Sequence, residues 1–133
     1  MSGVEDVHFP DPTERTATIL VVDDEVLIRM VLSDYLQDCG FKVLEAGTVA
    51  EAIAIIEASA TPIDLVFSDV NMPGEQDGIA LAQWVKTHRA EIPVLLTSGD
   101  EKKAELAGEI CAKEEFLPKP YDHKVAVARV RTL

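Results

Sequence analysis

One short stretch constrains the fold of this chain more than any other: Asp64-Leu65-Val66-Phe67-Ser68-Asp69-Val70-Asn71-Met72-Pro73-Gly74. Leu65 to Ser68 are apolar or small, too few for a helix and without a breaker, which predicts a strand buried on both faces. The run stops on a carboxylate, Asp69, and Met72-Pro73-Gly74 then turns the chain. An acid at the C-terminal end of a central parallel strand stands where open α/β sheets hold their ligands. Asp69 is therefore the first candidate for chemistry.

The rest of the chain repeats the theme. Residues 1–16 are polar and acidic, carry Pro10 and Pro12 and show no periodicity, which predicts a flexible acidic N-terminal arm ahead of a single domain over 17–133. Ala17 to Val22 reads as a strand that also ends in acid, at Asp23-Asp24. From Glu25 a helical pattern puts Leu27, Val31, Tyr35 and Cys39 on one side with Ile28, Leu32 and Leu36 beside them, and Gly40 is placed to cap it. Phe41 to Ala46 alternates as a second strand. Thr48, with Glu51 three residues on, opens a helix through Ala58 in a capping-box pattern. After the Asp69 strand come a helix from Gly78 to about His88 and a strand from Val94 to Leu96 ending at Thr97-Ser98-Gly99. A charged helix from Asp100 to Ala112, a strand from Glu115 to Pro118 and a last helix from Asp122 to about Arg131 complete the order. Strands alternating with helices five times predict a doubly wound, five-stranded parallel sheet with five helices on its two faces.

Composition closes off several classes of function. With 24 acidic against 12 basic residues the net charge is −12, the wrong sign for nucleic-acid binding. Hydrophobic residues at 47% argue against global disorder. No apolar run reaches membrane-span length, and the N-terminus lacks the basic start and apolar core of a signal peptide. Cys39 and Cys111 have no C-x-x-C spacing and predict free thiols in a reducing cytoplasm. His8, His88 and His123 show no metal-ligand spacing, and Trp84 reads as helix-on-sheet packing.

In a parallel sheet all C-terminal strand ends share one edge, so Asp23, Asp24, Asp69, Thr97 and Lys119 should converge. Each alone has a bland reading, as a helix cap, a turn residue or a solvated lysine. Their recurrence at successive strand ends does not. Three close carboxylates cannot all ionise unaided, and Lys119 offsets only one of them. A divalent cation with oxygen ligands would offset the rest, and a site of few carboxylates that keeps its waters suits Mg²⁺. A carboxylate between a cation and a lysine can attack a phosphoryl group, and Thr97 offers a hydroxyl to a phosphoryl oxygen. The set points to an aspartyl phosphate.

The ordered motifs Leu20-Val21-Val22-Asp23-Asp24, Ser68-Asp69-Val70-Asn71-Met72-Pro73, Thr97-Ser98-Gly99 and Phe116-Leu117-Pro118-Lys119-Pro120 resemble those of a response-regulator receiver domain of two-component signalling, similar to the chemotaxis receiver. The resemblance covers about Ala17 to Leu133 and implies a flavodoxin-like fold. It further implies Asp69 as phosphoacceptor, Mg²⁺ held by Asp24, Asp69 and the Asn71 backbone carbonyl with Asp23 partly through water, and Thr97 and Lys119 on the phosphoryl group. Thr97 and Phe116 would form the switch pair, and Lys119-Pro120 would be cis. The implied function is a cytoplasmic switch phosphorylated by a sensor histidine kinase or histidine phosphotransfer protein, signalling through a downstream protein target. It would catalyse its own phosphoryl transfer and dephosphorylation, turn over no separate substrate, touch no nucleic acid or membrane and stand alone, since the sequence stops one helix after Lys119.

Four positions depart from the common pattern. The Gly74-Glu75-Gln76 loop is one residue longer than the shortest form, and Ala112-Lys113 replaces a glycine helix end. Phe116 stands for the usual Tyr, and Gly99 offers no side chain over the phosphoryl group. The alternative function is a Mg²⁺-dependent hydrolase of the haloacid-dehalogenase type. That class wants an Asp two residues beyond the nucleophile, where this chain has Asn71, and a substrate-capping insertion that is missing.

Overall fold

The computed structural model describes residues 16–58, 62–72, 76–98, 116–119 and 121–132. Its elements in chain order are β1 (Thr18–Val22), α1 (Val26–Asp38), β2 (Lys42–Ala46), α2 (Val49–Ala58), β3 (Leu65–Asp69), α3 (Gly78–His88), β4 (Val94–Ser98), β5 (Phe116–Pro118) and α4 (His123–Thr132). The five strands form one parallel sheet in the order β2-β1-β3-β4-β5, the flavodoxin-like order. The arm at 1–16, save Thr16 itself, the charged helix expected at Asp100 to Ala112, the Lys119-Pro120 peptide and Cys111 lie outside the described residues.

Successive side chains of a strand point to opposite faces, and here that period of two divides the interior into two cores. Leu20, Val22, Val66, Val94 and Leu96 face α2 and α3, where Ala52, Ile56, Leu81, Ala82 and Val85 meet them. Ile19, Val21, Leu65, Phe67, Leu95 and Leu117 face the opposite way, against Leu32 and Leu36 of α1 and Ala126, Val127 and Val130 of α4. Both faces are covered, so β1, β3 and β4 are buried along their whole length. Trp84 is partly buried against the first core and stacks on His88 at 4.6 Å between ring centroids, in keeping with its packing role.

Local signals explain the element ends. Gly40 adopts φ +98°; its N–H donates to the Gln37 carbonyl while the Phe41 N–H donates to the Leu36 carbonyl, a Schellman ending that needs glycine's freedom. The Thr48 hydroxyl accepts from the Glu51 N–H at 3.1 Å, as the capping box requires. The return bond differs: the Glu51 carboxylate reaches the Gly47 N–H, one residue earlier than Thr48. Asp77 caps α3 by accepting from the Ala80 N–H.

Two expectations need correction. β4 runs through Thr97 and Ser98 rather than stopping at Leu96, because Thr97 pairs in register with Asp69 and Ser98 with Pro118. The apolar side of α1 is only half used. Leu32 and Leu36 are buried, but Leu27, Ile28 and Val31 are exposed, Leu27 by 76%. Burial begins only at Leu32, which joins the second core beside Ile19 and Val21.

Candidate functional site

The C-terminal edge of the sheet gathers the residues singled out from the sequence. Asp23 follows β1, Asp69 is the last residue of β3, Thr97 lies on β4 opposite Asp69, and Lys119 follows β5. The main chain locks these ends together. The Asp23 N–H donates to the Ala46 carbonyl, the Val70 N–H to Thr97, and the Lys119 N–H to Ser98. Asp23 and Asp69 flank the gap between β1 and β3, where the strand order reverses and the sheet opens a crevice.

Carboxylate oxygens of Asp23, Asp24 and Asp69 all lie within 4.8 Å of one another, with Asp23 and Asp69 buried and Asp24 exposed. The Lys119 ammonium donates to Asp69 Oδ2 at 2.8 Å. The other oxygen, Oδ1, accepts from the Asn71 N–H at 3.0 Å. Asp23 Oδ1 accepts from the Glu25 N–H at 2.9 Å, which fixes the turn leading into α1. Thr97 Oγ1 is buried and, among the described residues, has no hydrogen-bond partner.

Burial pushes the Asp23 carboxyl upward; the Glu25 N–H opposes that, Asp69 adds to it, and Lys119 and Asp24 make smaller contributions of opposite sign. Burial also works against the Lys119 ammonium, but the hydrogen bond and charge of Asp69, with Asp23 and Glu25 behind it, outweigh burial and leave its pKa raised. The site therefore keeps a proton on its lysine and resists charge on Asp23. All-oxygen donors this close, with one face open to solvent at Asp24, fit a small hard cation.

Sequence reasoning passed over three residues at this edge. Tyr121, two residues beyond Lys119, packs its ring 5.9 Å from Phe67 at 46°; burial first, then Asp23 and Asp69, pushes its phenol up to about 12. Only its place after Lys119-Pro120 marked it. Gly78 donates its N–H to the Val70 carbonyl, and a Cβ there would lie 2.8 Å from the Val70 Cα. In the sequence Gly78 marked only the start of a helix. Arg29 bonds the carbonyl of Asp23 at 2.7 Å, although a lone arginine in a helix normally reads as solvated. Phe116 lies in β5 by its backbone, and its side chain is outside the described residues.

The chain is similar to known proteins over almost its whole described length. The family model for the response regulator receiver domain matches residues 19–131. Transcriptional regulatory protein AruR of Pseudomonas aeruginosa is 32% identical over 119 residues, covering 86% of this chain and 48% of that protein. Transcriptional regulatory protein ResD of Bacillus subtilis is 35% identical over 124 residues, covering 92% of this chain and 50% of its own. The crystal structure of a response regulator receiver domain protein from Clostridium thermocellum superposes with a TM-score of 0.78 at 29% identity, covering 87% of this chain and 92% of that one. The chain thus spans about half the length of the transcriptional regulators it matches.

Proposed function

This chain belongs to the response regulator receiver domain family of two-component signalling, and from that premise we propose that Asp69 accepts the phosphoryl group. The observation that carries the proposal is Thr97: a buried hydroxyl without a partner among the described residues, in register with the acid on the next strand. A buried hydroxyl left unbonded costs on the order of 1–3 kcal/mol, which a phosphoryl oxygen arriving on Asp69 would recover.

The chemistry follows from the geometry. An Asp69 oxygen attacks phosphorus, a new O–P bond forms, and the P–N bond to a donor histidine breaks with the electron pair left on the ring nitrogen. Lys119 moves its hydrogen bond from the carboxylate to a phosphoryl oxygen, and Thr97 donates to another. The Asn71 N–H keeps the remaining carboxylate oxygen in place. Asp23, Asp24 and Asp69, with the Asn71 carbonyl, are the residues that would hold Mg²⁺. Bound there, the ion would neutralise charge on the equatorial oxygens of the transferring group.

The partner on the donor side is a histidine kinase or histidine phosphotransfer protein. Val26, Leu27, Met30 and Val31 leave the start of α1 apolar and exposed, Val125 of α4 is exposed as well, and α1 begins two residues past Asp24. A helix of the donor docked there would carry its phosphohistidine to the mouth of the crevice. Phosphorylation would then be read by a downstream protein target. The haloacid-dehalogenase reading finds no support in the site. The position two residues past Asp69 is Asn71, and its N–H is committed to the Asp69 carboxylate.

Acetyl phosphate or phosphoramidate with Mg²⁺ tests this directly. The wild-type chain should gain one acid-stable, base-labile phosphoryl group, and Asp69→Asn should gain none. A phosphate mapped by mass spectrometry to any other residue of the wild type overturns the assignment.

A further inference from the structure

Arg29 bridges three parts of the fold at the edge of the acidic cluster. It sits on α1, its Nη1 donates to the backbone carbonyl of Asp23 at 2.7 Å, and its Nε donates to Glu45 of β2 at 3.0 Å. The guanidinium also passes over Gly47, where a Cβ would come within 3.1 Å of its Nη1. Its side chain is largely covered, at 18% exposure. A planar fork with two donors committed in fixed directions is a rigid strut, which a lysine cannot reproduce.

The strut acts on the peptide that joins Asp23 to Asp24. The Asp23 N–H is held by Ala46 and the Asp23 carboxylate by Glu25, while the Asp23 carbonyl is held by Arg29. That carbonyl belongs to the same rigid plane as the nitrogen of Asp24. Asp24 is exposed, and among the described residues its carboxylate has no hydrogen-bond partner. We propose that Arg29 is a positioning residue for the divalent-cation site: anchored by Glu45, it orients the Asp23–Asp24 peptide and so presents the Asp24 carboxylate to the cation. This rests on the reading of Asp23, Asp24 and Asp69 as a Mg²⁺ site.

Charge and geometry predict opposite signs, which makes the proposal decidable. Arg29 is a cation beside a cation site, so on Coulomb grounds alone its removal tightens Mg²⁺ binding. As a positioning residue its removal loosens binding, since groups that orient metal ligands typically contribute about tenfold or more in affinity.

The test is an amide NMR titration of the full, unphosphorylated chain with Mg²⁺ alone at fixed ionic strength. Arg29→Met should weaken the affinity by about tenfold. Glu45 gives a second arm that does not depend on the first variant folding. Glu45→Ala should also weaken binding, because the anchor of Nε is lost. Glu45→Gln should recover it, because the amide oxygen still accepts the bond without the charge. A wild-type chain with no saturable response overturns the cation reading and this inference with it. Saturable wild-type binding with Arg29→Met equal or tighter overturns the inference alone, as does equal weakening in Glu45→Ala and Glu45→Gln.

Discussion

Asp69 ends β3 and Lys119 follows β5, two strands with β4 between them, yet their side chains meet at 2.8 Å at the sheet edge. The lysine thus spans the strand that carries Thr97 and closes the cluster from the far side. Asp69 is 5% exposed and Lys119 25% by side chain, so water screens the pair only in part. Removing the cation leaves three acids facing one another. Lys119→Met is expected to lower stability by about 2 kcal/mol at neutral pH, and millimolar Mg²⁺ should restore part of the loss. Urea denaturation with and without the ion measures both. Since the lysine pKa is raised, its stabilising contribution is complete below the ordinary value of 10.5 and is lost as pH rises through the higher folded value.

Asp23 shows a linkage of the same sign at the acid end of the pH scale. Its carboxyl is raised, chiefly by burial, so the folded chain binds that proton more tightly than the unfolded one. Its contribution to stability therefore declines as pH climbs from 3.8 through the folded pKa, and at neutral pH the buried charge is a cost. Asp23→Asn keeps an oxygen for the Glu25 N–H and removes the charge. The metal-free variant should be more stable than wild type by about 1 kcal/mol at neutral pH, with the gap closing toward acid. Added Mg²⁺ should stabilise wild type more than the variant. A pH series of denaturation midpoints checks the sign.

Gly78 is where α3 lands on the exit of β3. A methyl group there meets the backbone of Asp69 and Val70, and neither strand end nor helix can yield without moving the acceptor. Gly78→Ala should cost about 3 kcal/mol in thermal or urea unfolding and slow phosphorylation of the fraction that folds. Wild-type rates and stability in that variant would contradict the close approach.

Thr97→Val removes the hydroxyl that lacks a partner among the described residues while keeping the shape on β4. The unphosphorylated variant should fall within about 1 kcal/mol of wild type or exceed it. It should still take a phosphoryl group on Asp69 but respond to it less, seen as smaller phosphorylation-dependent amide shifts in β5 and α4. Full-sized shifts in the variant would remove Thr97 from the switch.

The alternation of parallel strands and helices and the five convergent side chains were legible because each apolar run stops at a polar residue, and in a parallel sheet every such stop lies on one edge. Asp69 and Thr97 could be paired on paper before their register was known. Periodicity could not say that Leu27 and Val31 are exposed, since an apolar stripe covered along its whole length has the same pattern as one covered only in part. Arg29 was illegible for a related reason: its partner is a backbone carbonyl, which every residue possesses and no sequence displays. Tyr121 looked like any aromatic beside a proline until its ring was found against Phe67.

The order of strands along the chain has a consequence for how the protein is made. β5 is an edge strand bonded only to β4, and Lys119 follows Asp69 by fifty positions. While the ribosome holds a chain that ends anywhere before that lysine, Asp69 has no Lys119 to meet, and the second core lacks Ala126, Val127 and Val130 of α4. The nascent sheet is left with repelling acids at one edge and a partly uncovered face. A prematurely terminated product lacking this lysine is therefore expected to be a substrate for proteolysis rather than a weakened switch.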